Sequence, residues 1–346
     1  MSENLNQIPV EQPASEVVEK VENMTQTTTE TELETASIEE PTVINENTTE
    51  TTTEKTTSNA ATDPMNDPRF EAPRAQRFPT WGDMLAVVGI YLLATVATSV
   101  ITAIIAAVSG GAEGLAERMS SGPMSAVSYA LSMGLTIVGV LIYRALRRGE
   151  GKLFSLSLKG FNPILILWGF VLVLITGIVI EPVLNLFPES FLELLNQMGA
   201  KGGWSVLMLV VLAPIMEEVL FRGILLESVR SKYSSGRAIV VSALMFGVIH
   251  IIPQQVVNAF VIGLILGYIY VRTESLWPVI IIHALNNAMA YVIMQWSDGA
   301  NLTIRSLIEN DTIYAVVYGA SLMLFAVSGY MVWRSIGRIN ASDRKA

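Results

Sequence analysis

Residues 204–229 read WSVLMLVVLAPIMEEVLFRGILLESV, an apolar run with two adjacent acids and one arginine near its centre. A helix rises 1.5 Å per residue, so about 20 residues cross the roughly 30 Å hydrocarbon core of a bilayer. The stretch is therefore long enough to span a membrane, and Glu217, Glu218 and Arg222 would lie inside it. Ionisable side chains within a span are costly and usually functional. This stretch thus predicts both a membrane fold and the place of a site.

Seven further apolar runs predict an all-α polytopic bundle of about eight transmembrane helices. The predicted spans are 82–108, 124–144, 161–187, 204–229, 238–253, 255–271, 276–295 and 312–333. The fifth and sixth runs are short and are separated by Pro253, so they can be short spans, a re-entrant pair or helices inside the bundle. Barrel strands are excluded, because the runs are too long and do not alternate at every second residue.

The charge distribution divides the chain into a tail and a membrane domain. The 346 residues carry 31 Asp and Glu against 22 Lys and Arg, a formal charge of −9. Residues 1–63 hold 14 acids and two bases, a net of −12, which leaves 17 acids and 20 bases, a net of +3, for the rest. We predict a disordered acidic Thr/Glu-rich tail over 1–78 and a membrane domain over 79–346. The tail has too few apolar residues to offset the entropy lost on ordering it.

Composition also excludes several classes of function. The chain has no cysteine, which rules out a disulfide framework, a thiol nucleophile and Cys-ligated metal sites. No dense Lys/Arg stripe is present, so nucleic acid is not an expected partner. The expected partners are membrane lipids and a membrane-associated peptide or protein.

Basic residues indicate the orientation of the spans, since Lys and Arg near span ends favour the cytoplasm. With eight crossings, five basic clusters fall on one side of the membrane, and both termini are predicted to be cytoplasmic. The opposite loops contain few bases, namely Arg118, Lys201 and Arg305. Residues 1–10 lack a secretory signal, and the chain has no transit peptide. We therefore predict a multi-pass protein of a bacterial plasma membrane.

Helix periodicity separates the two acids of the fourth span. Residues four apart share a helix face, so Glu218 and Arg222 are expected to form an ion pair within the membrane. Glu217 lies about 140° from Arg222 around the helix axis, at about 100° per residue, and remains the carboxylate without an arginine.

The remaining polar residues of the spans include both histidines of the chain. Phe246 and His250 share one face of the fifth span, and His283 and Asn287 share one face of the seventh. Together with Glu217 they form the candidate site. A carboxylate can take a proton from water, one histidine can assist, and a second histidine with an amide can stabilise an oxyanion.

Other readings of these residues stay open. Glu217, His250 and His283 could instead bind a divalent metal such as zinc with an open position, although the one-helix His-Glu-X-X-His signature is missing. The polar set could support a non-catalytic membrane partner or an immunity protein. It could also relay protons in a coupled transporter, a reading that the absence of a visible internal repeat disfavours.

Three motifs follow one another on successive predicted membrane helices. They are Glu-Glu-X-X-X-Arg at 217–222, Phe-X-X-X-His at 246–250 and His-X-X-X-Asn at 283–287. In this order they resemble the CPBP intramembrane proteases, also called the CAAX-processing and bacteriocin-processing (Abi) family. The resemblance covers residues 200–295, the motif-bearing core, and leaves the first three spans, the last span and the tail unmatched.

The resemblance implies an all-helical membrane endopeptidase that hydrolyses a peptide bond of a membrane-associated protein or peptide. By motif position, it implies that Glu217 activates the attacking water and that His250 assists. His283 and Asn287 would stabilise the oxyanion, while the Glu218 pair would brace the helix.

The resemblance does not decide whether a metal is required or what the biological role is. It is traditionally named metal-dependent, yet a glutamate mechanism without a bound metal is also argued for it, and we expect no obligatory metal. Bacterial members are linked to bacteriocin maturation or self-immunity, so cleavage of prenylated substrates is not carried over to this chain.

Overall fold

The computed structural model describes residues 77–111, 113–154, 156, 161–188, 202–296 and 303–343. The predicted disordered tail over 1–78 lies outside these residues except for Arg77 and Phe78. Phe78 is buried, and its amide donates to the carbonyl oxygen of Arg147 at 3.2 Å. The described part of the membrane domain therefore begins packing at the last residue assigned to the tail.

The described residues form helices and no strand, which confirms the predicted all-α class. We number the helices α1 to α10 in chain order. Their bounds are α1 Trp81–Gly110, α2 Leu115–Met119, α3 Gly122–Leu146, α4 Pro163–Leu184, α5 Gly203–Arg230, α6 Ser235–Val248, α7 Pro253–Thr273, α8 Leu276–Trp296, α9 Ile304–Leu307 and α10 Asp311–Asp343.

Seven helices of the described chain are long and apolar enough to cross a membrane, by length and composition. They are α1, α3, α4, α5, α7, α8 and α10, which makes this a multi-pass membrane protein. The fifth predicted span corresponds to α6, a helix of 14 residues and about 21 Å. It is too short to cross alone, and it packs extensively against α7. The short fifth and sixth runs are thus a short helix followed by one of full span length.

Side-chain caps explain where several helices begin. The Thr80 side chain accepts from the Asp83 amide, and the Asp83 carboxylate accepts from the Thr80 amide, which forms a capping box at the start of α1. Asn162 accepts from two amides at the start of α4, where Pro163 occupies the first helical position. Ser234 caps α6. These caps fix the first residues of α1, α4 and α6.

The ends of α1, α3, α5, α7 and α8 meet at one end of the bundle, which we call the basic end. The Phe78 contact joins the start of α1 to the end of α3. Arg144 Nε donates to Ser228 Oγ at 3.0 Å, which joins the end of α3 to the end of α5. Arg230 Nη2 donates to Glu274 Oε1 at 2.8 Å, which brings in the turn between α7 and α8. The predicted basic clusters that precede α1 and follow α3, α5 and α7 therefore lie at the same end.

The start of α10 lies at the opposite end of the bundle. Tyr318 of α10 donates to the carbonyl oxygen of Val179, near the end of α4. Because the 33 residues of α10 pack along α4, its last turns return to the basic end. The first and last helices thus have their outer ends together, because α6 and α7 leave and return to the basic end as a pair, although α6 is too short to cross alone. The side of the membrane on which this end lies stays a prediction.

Glu181, near the end of α4, also lies at the end of the bundle opposite the basic end. It is buried, and its two carboxylate oxygens accept from the amides of Ile304 and Arg305, each at 2.9 Å. The carboxylate satisfies the free amides of the first turn of α9. It therefore ties α9 to the end of α4.

Two hydrophobic clusters build the interior, and α5 contributes to both. One cluster is formed mainly by α4, α7, α8 and α10, and includes Leu226 and Val229 of α5. The other is formed mainly by α1, α3 and α6, and includes Leu220 and Phe221 of α5. The charged residues of α5 consequently lie at the junction of the two clusters.

Candidate active site

The two acids of α5 occupy a short α-helical segment between two π-helical ones. The π-helical segments are Leu207–Leu212 and Val219–Leu226, and Ala213–Glu218 lies between them. A π-helix closes its hydrogen bonds one residue later than an α-helix, which changes the direction of the side chains, and such segments are frequent at functional sites. Residue periodicity predicted a regular α-helix for α5, because it does not reveal a local change of hydrogen bonding.

The predicted ion pair of α5 is present and fully buried. Arg222 Nη1 donates to Glu218 Oε1 at 2.8 Å, and both side chains are 0% exposed. Arg222 Nη2 donates to the carbonyl oxygen of Gly263 at 3.3 Å. A side chain at Gly263 would meet Ala243 at 3.0 Å, so the absence of a side chain lets α7 approach closely. The pair therefore braces α5 against α7.

His283 of α8 lies between the two acids of α5. Its Nδ1 is 2.9 Å from Glu218 Oε1, a hydrogen-bond distance, and its Nε2 is 3.6 Å from Glu217 Oε2. A carboxylate oxygen accepts, so Nδ1 carries the hydrogen that is shared with Glu218, and Nε2 faces Glu217 beyond hydrogen-bond distance.

Glu217 has a hydrogen-bond donor that the sequence did not reveal. The hydroxyl group of Tyr129, on α3, donates to Glu217 Oε1 at 2.8 Å. Glu217 has no arginine partner, and it is 8% exposed where Glu218 is 0% exposed. Of the two acids, Glu217 is thus the one that water can reach. Tyr129 lies 88 residues away, in a span without a motif, so no pattern in the sequence could have linked the two.

His250 follows the end of α6, where the chain turns toward α7. Its Nδ1 lies 2.8 Å from the carbonyl oxygen of Phe246. A carbonyl oxygen only accepts, so Nδ1 carries the hydrogen, and His250 as a whole is partly exposed. The next residue, Ile251, has a left-handed backbone with φ 64, which is unusual for a β-branched residue. The turn therefore holds His250 in one tautomer at the edge of the site.

Phe246 connects the two histidines. Its ring packs edge-to-face against His250 and His283, with ring centroids 5.0 and 5.7 Å apart. The guanidinium group of Arg222 also lies over this ring, 4.7 Å from its centroid. A cation over an aromatic face is stabilised by the ring quadrupole. Phe246 thus contacts a member of each motif.

Asn287 lies one turn beyond His283 on α8, and part of its amide is already used. Its Nδ2 donates to the carbonyl oxygen of Leu209 at 3.0 Å, within the first π-helical segment of α5. A side-chain amide has two donor hydrogens, so one remains. The Oδ1 atom of Asn287 lies 3.4 Å from the Asn286 amide nitrogen. The carboxamide groups of Asn286 and Asn287 therefore contact each other.

The described residues do not gather a metal-binding set. Nowhere along the described ranges do three His, Asp or Glu side chains come close enough together to hold a metal ion. Of the suggested set, Glu217 and His283 lie together, but His250 packs on Phe246 and commits its Nδ1 to a carbonyl oxygen. The three residues do not fit a shared metal ion in this arrangement, and we derive no step through one.

The fold and these contacts define a polytopic helical membrane protein with an acid–histidine cluster between α5, α6 and α8. The model of the family described as type II CAAX prenyl endopeptidase Rce1-like matches residues 200–289. This range contains all three motifs, and the match confirms the resemblance to the CPBP family over these residues.

One curated relative is a protein of Bacillus subtilis (strain 168) named "Putative membrane peptidase YdiL". It is 29% identical over 85 residues, which are 25% of this chain and 34% of the relative. The match thus spans about a third of the relative's length. No solved structure matches the chain.

Proposed function

We propose that the protein is an intramembrane endopeptidase that hydrolyses a peptide bond of a membrane-associated protein or peptide. The observation that carries the proposal is the environment of Glu217: a buried carboxylate without an arginine, hydrogen-bonded by Tyr129 and facing the Nε2 atom of His283. The family match over the three motifs supports it, as does the similarity to a Bacillus subtilis protein that is named as a membrane peptidase.

Glu217 is the general base in this proposal. It takes a proton from a water molecule, whose oxygen adds to the carbonyl carbon of the peptide bond. The protonated carboxyl group then becomes a donor, and His283 Nε2 is the acceptor in front of it at 3.6 Å. A small movement would close this distance to a hydrogen bond. His283 thereby stabilises the protonated form of Glu217 that the first step creates.

His250 and Asn287 act on the other atoms of the reaction. The free Nε2 of His250 accepts a hydrogen bond from the attacking water, and the proton held by Glu217 passes to the leaving amine when the carbon–nitrogen bond breaks. The second amide hydrogen of Asn287 is available to the oxyanion of the tetrahedral intermediate. His283 has its Nδ1 hydrogen on Glu218, so we assign the oxyanion to Asn287 rather than to both residues.

A cleavage assay with the whole protein tests the proposal. We expect purified protein in lipid nanodiscs to cleave members of a peptide library, with products identified by mass spectrometry. Changing His250→Ala removes the free Nε2 acceptor and should lower the rate about 10²-fold or more. Phe246 stays in place, so the fold should persist. Equal product from His250→Ala and wild type would reject the assigned role, and no cleavage by wild type would favour a non-catalytic membrane partner.

Tyr129→Phe tests the position of the general base. It removes the hydroxyl group that holds Glu217 Oε1 but keeps the ring, so we expect kcat to fall roughly tenfold with little change in KM. A hydrogen bond to a charged group contributes about 1.5–3 kcal/mol, and only a part of this affects the transition state. The measurement is steady-state cleavage of the best library peptide.

Tyr143→Phe is a matched control on the same helix. The Tyr143 hydroxyl group also donates to a carboxylate, Asp83 Oδ1, at 2.7 Å, but far along α3 from the site. It should leave kcat unchanged. Equal losses of kcat in the two variants would show a general effect on α3 and would contradict a positioning role for Tyr129.

A further inference from the structure

A groove of about 570 Å³ opens at the basic end of the bundle, away from the acid–histidine cluster. Its walls are the start of α1 with Trp81 and Met84, the end of α5 with Val229, and the start of α6 with Arg237 and Val240. Val229 follows Glu217 by 12 residues, about 18 Å along α5. The groove is therefore separate from the proposed catalytic residues.

The groove is mainly apolar but has a cation at its rim. Arg237 is exposed, and its guanidinium group has no hydrogen bond or ion pair with any residue in the described ranges. The neighbouring bases are already engaged. Lys232 Nζ donates to the carbonyl oxygens of Arg77 and Pro79, and Arg230 binds Glu227 and Glu274. Arg237 is thus the lining charge that is free for a ligand.

The nearby acid does not oppose a negative ligand. Asp83 accepts from Tyr143, Arg147 and Thr80, so its charge is balanced by its own partners. Trp81 and Tyr233, both exposed, line the same groove. Aromatic residues of this kind concentrate where membrane spans meet the headgroup region.

We propose that this groove binds an anionic phospholipid, with the phosphate at Arg237 and an acyl chain along the apolar wall. Charge complementarity favours this occupant, because the lining charge is a free cation. The level of the groove, at the ends of three helices, matches the depth at which a headgroup meets its acyl chains. The volume lies within the range of small-molecule sites. Basic pockets at span ends bind anionic headgroups in this way.

Two variants separate the charge of the groove from its shape. Arg237→Ala removes the cation. Gly236→Leu fills the groove, and a side chain at Gly236 meets no atom within 4 Å, so this variant should fold. Arg338→Ala is the matched control, since Arg338 is an exposed base of α10 outside the groove.

The test is native mass spectrometry of the delipidated full chain, titrated with phosphatidylglycerol or phosphatidylcholine. We expect wild type to retain phosphatidylglycerol more strongly, and Arg237→Ala to weaken that lipid roughly fivefold and phosphatidylcholine less, because the choline cation offsets the phosphate of the latter. Gly236→Leu should weaken both lipids, and Arg338→Ala neither.

Three results would overturn the proposal. They are equal retention of the two lipids by wild type, equal effects of the Arg237 and Arg338 changes, and unchanged binding in Gly236→Leu. Inorganic phosphate at millimolar concentration should not displace the lipid, and displacement by phosphate would show a free-anion site instead. None of these outcomes depends on peptide cleavage, so the lipid site and the protease proposal fail separately.

Discussion

Glu217→Gln is expected to abolish peptide cleavage while the protein keeps its fold. Glutamine retains the shape of the side chain and can still accept the Tyr129 hydrogen bond, but it cannot take a proton from water. Removing a general base costs typically 10²–10⁴ in rate. We therefore expect kcat to fall at least about 10²-fold in the nanodisc assay, with peptide binding retained.

Glu227→Gln is the matched control, because Glu227 lies on the same helix and pairs with Arg230 at 3.4 Å, outside the site. Its cleavage rate should equal that of wild type. If Glu217→Gln cleaves at the wild-type rate while melting at the same temperature, Glu217 is not the base and the proposed mechanism is wrong.

Arg222→Met is expected to destabilise the fold more than any exposed charge change. It leaves the Glu218 carboxylate buried without its cation, and breaking a buried pair from one side typically costs about 3–5 kcal/mol. Among the described residues, Glu218 Oε2 has no hydrogen-bond partner even in the intact pair, so without Arg222 the carboxylate keeps only its contact with His283 Nδ1. Denaturant unfolding in detergent measures the loss.

The double variant Glu218→Leu with Arg222→Met separates stability from activity. Replacing both charges by apolar groups removes the uncompensated charge, so much of the stability should return. Cleavage should stay low, because His283 loses the carboxylate that holds its Nδ1 hydrogen. Arg230→Met, which breaks the partly exposed pair with Glu274, should cost less than about 1 kcal/mol. Similar losses for Arg222→Met and Arg230→Met would contradict a special role for the buried pair.

Periodicity and length predicted the parts of the site that lie on one helix. Glu218 and Arg222 are four residues apart, and their ion pair follows from helix geometry alone. The same geometry left Glu217 without an arginine, and the described structure has none beside it. The lengths of the apolar runs predicted the spans, because a bilayer imposes a minimum length on any helix that crosses it.

Residue spacing and the length of apolar runs could not predict which side chains of different helices are in contact. Tyr129 reaches Glu217 from a helix 88 residues earlier, and His283 bridges two acids that were expected to have separate surroundings. Spacing along the chain also does not show that Phe246 packs against both histidine rings.

The sequence by itself determined that this chain is a helical membrane protein with one polar cluster, and three ordered motifs indicated its family. Hydrophobic length and residue spacing on a single helix are local properties, and each can be read without knowing the fold. The tertiary structure decided which side chains meet: the Tyr129 contact, the bridging His283, the committed Nδ1 of His250 and the groove beside Arg237. These depend on how α3, α5, α6 and α8 pack, and packing is set by close contacts between distant parts of the chain.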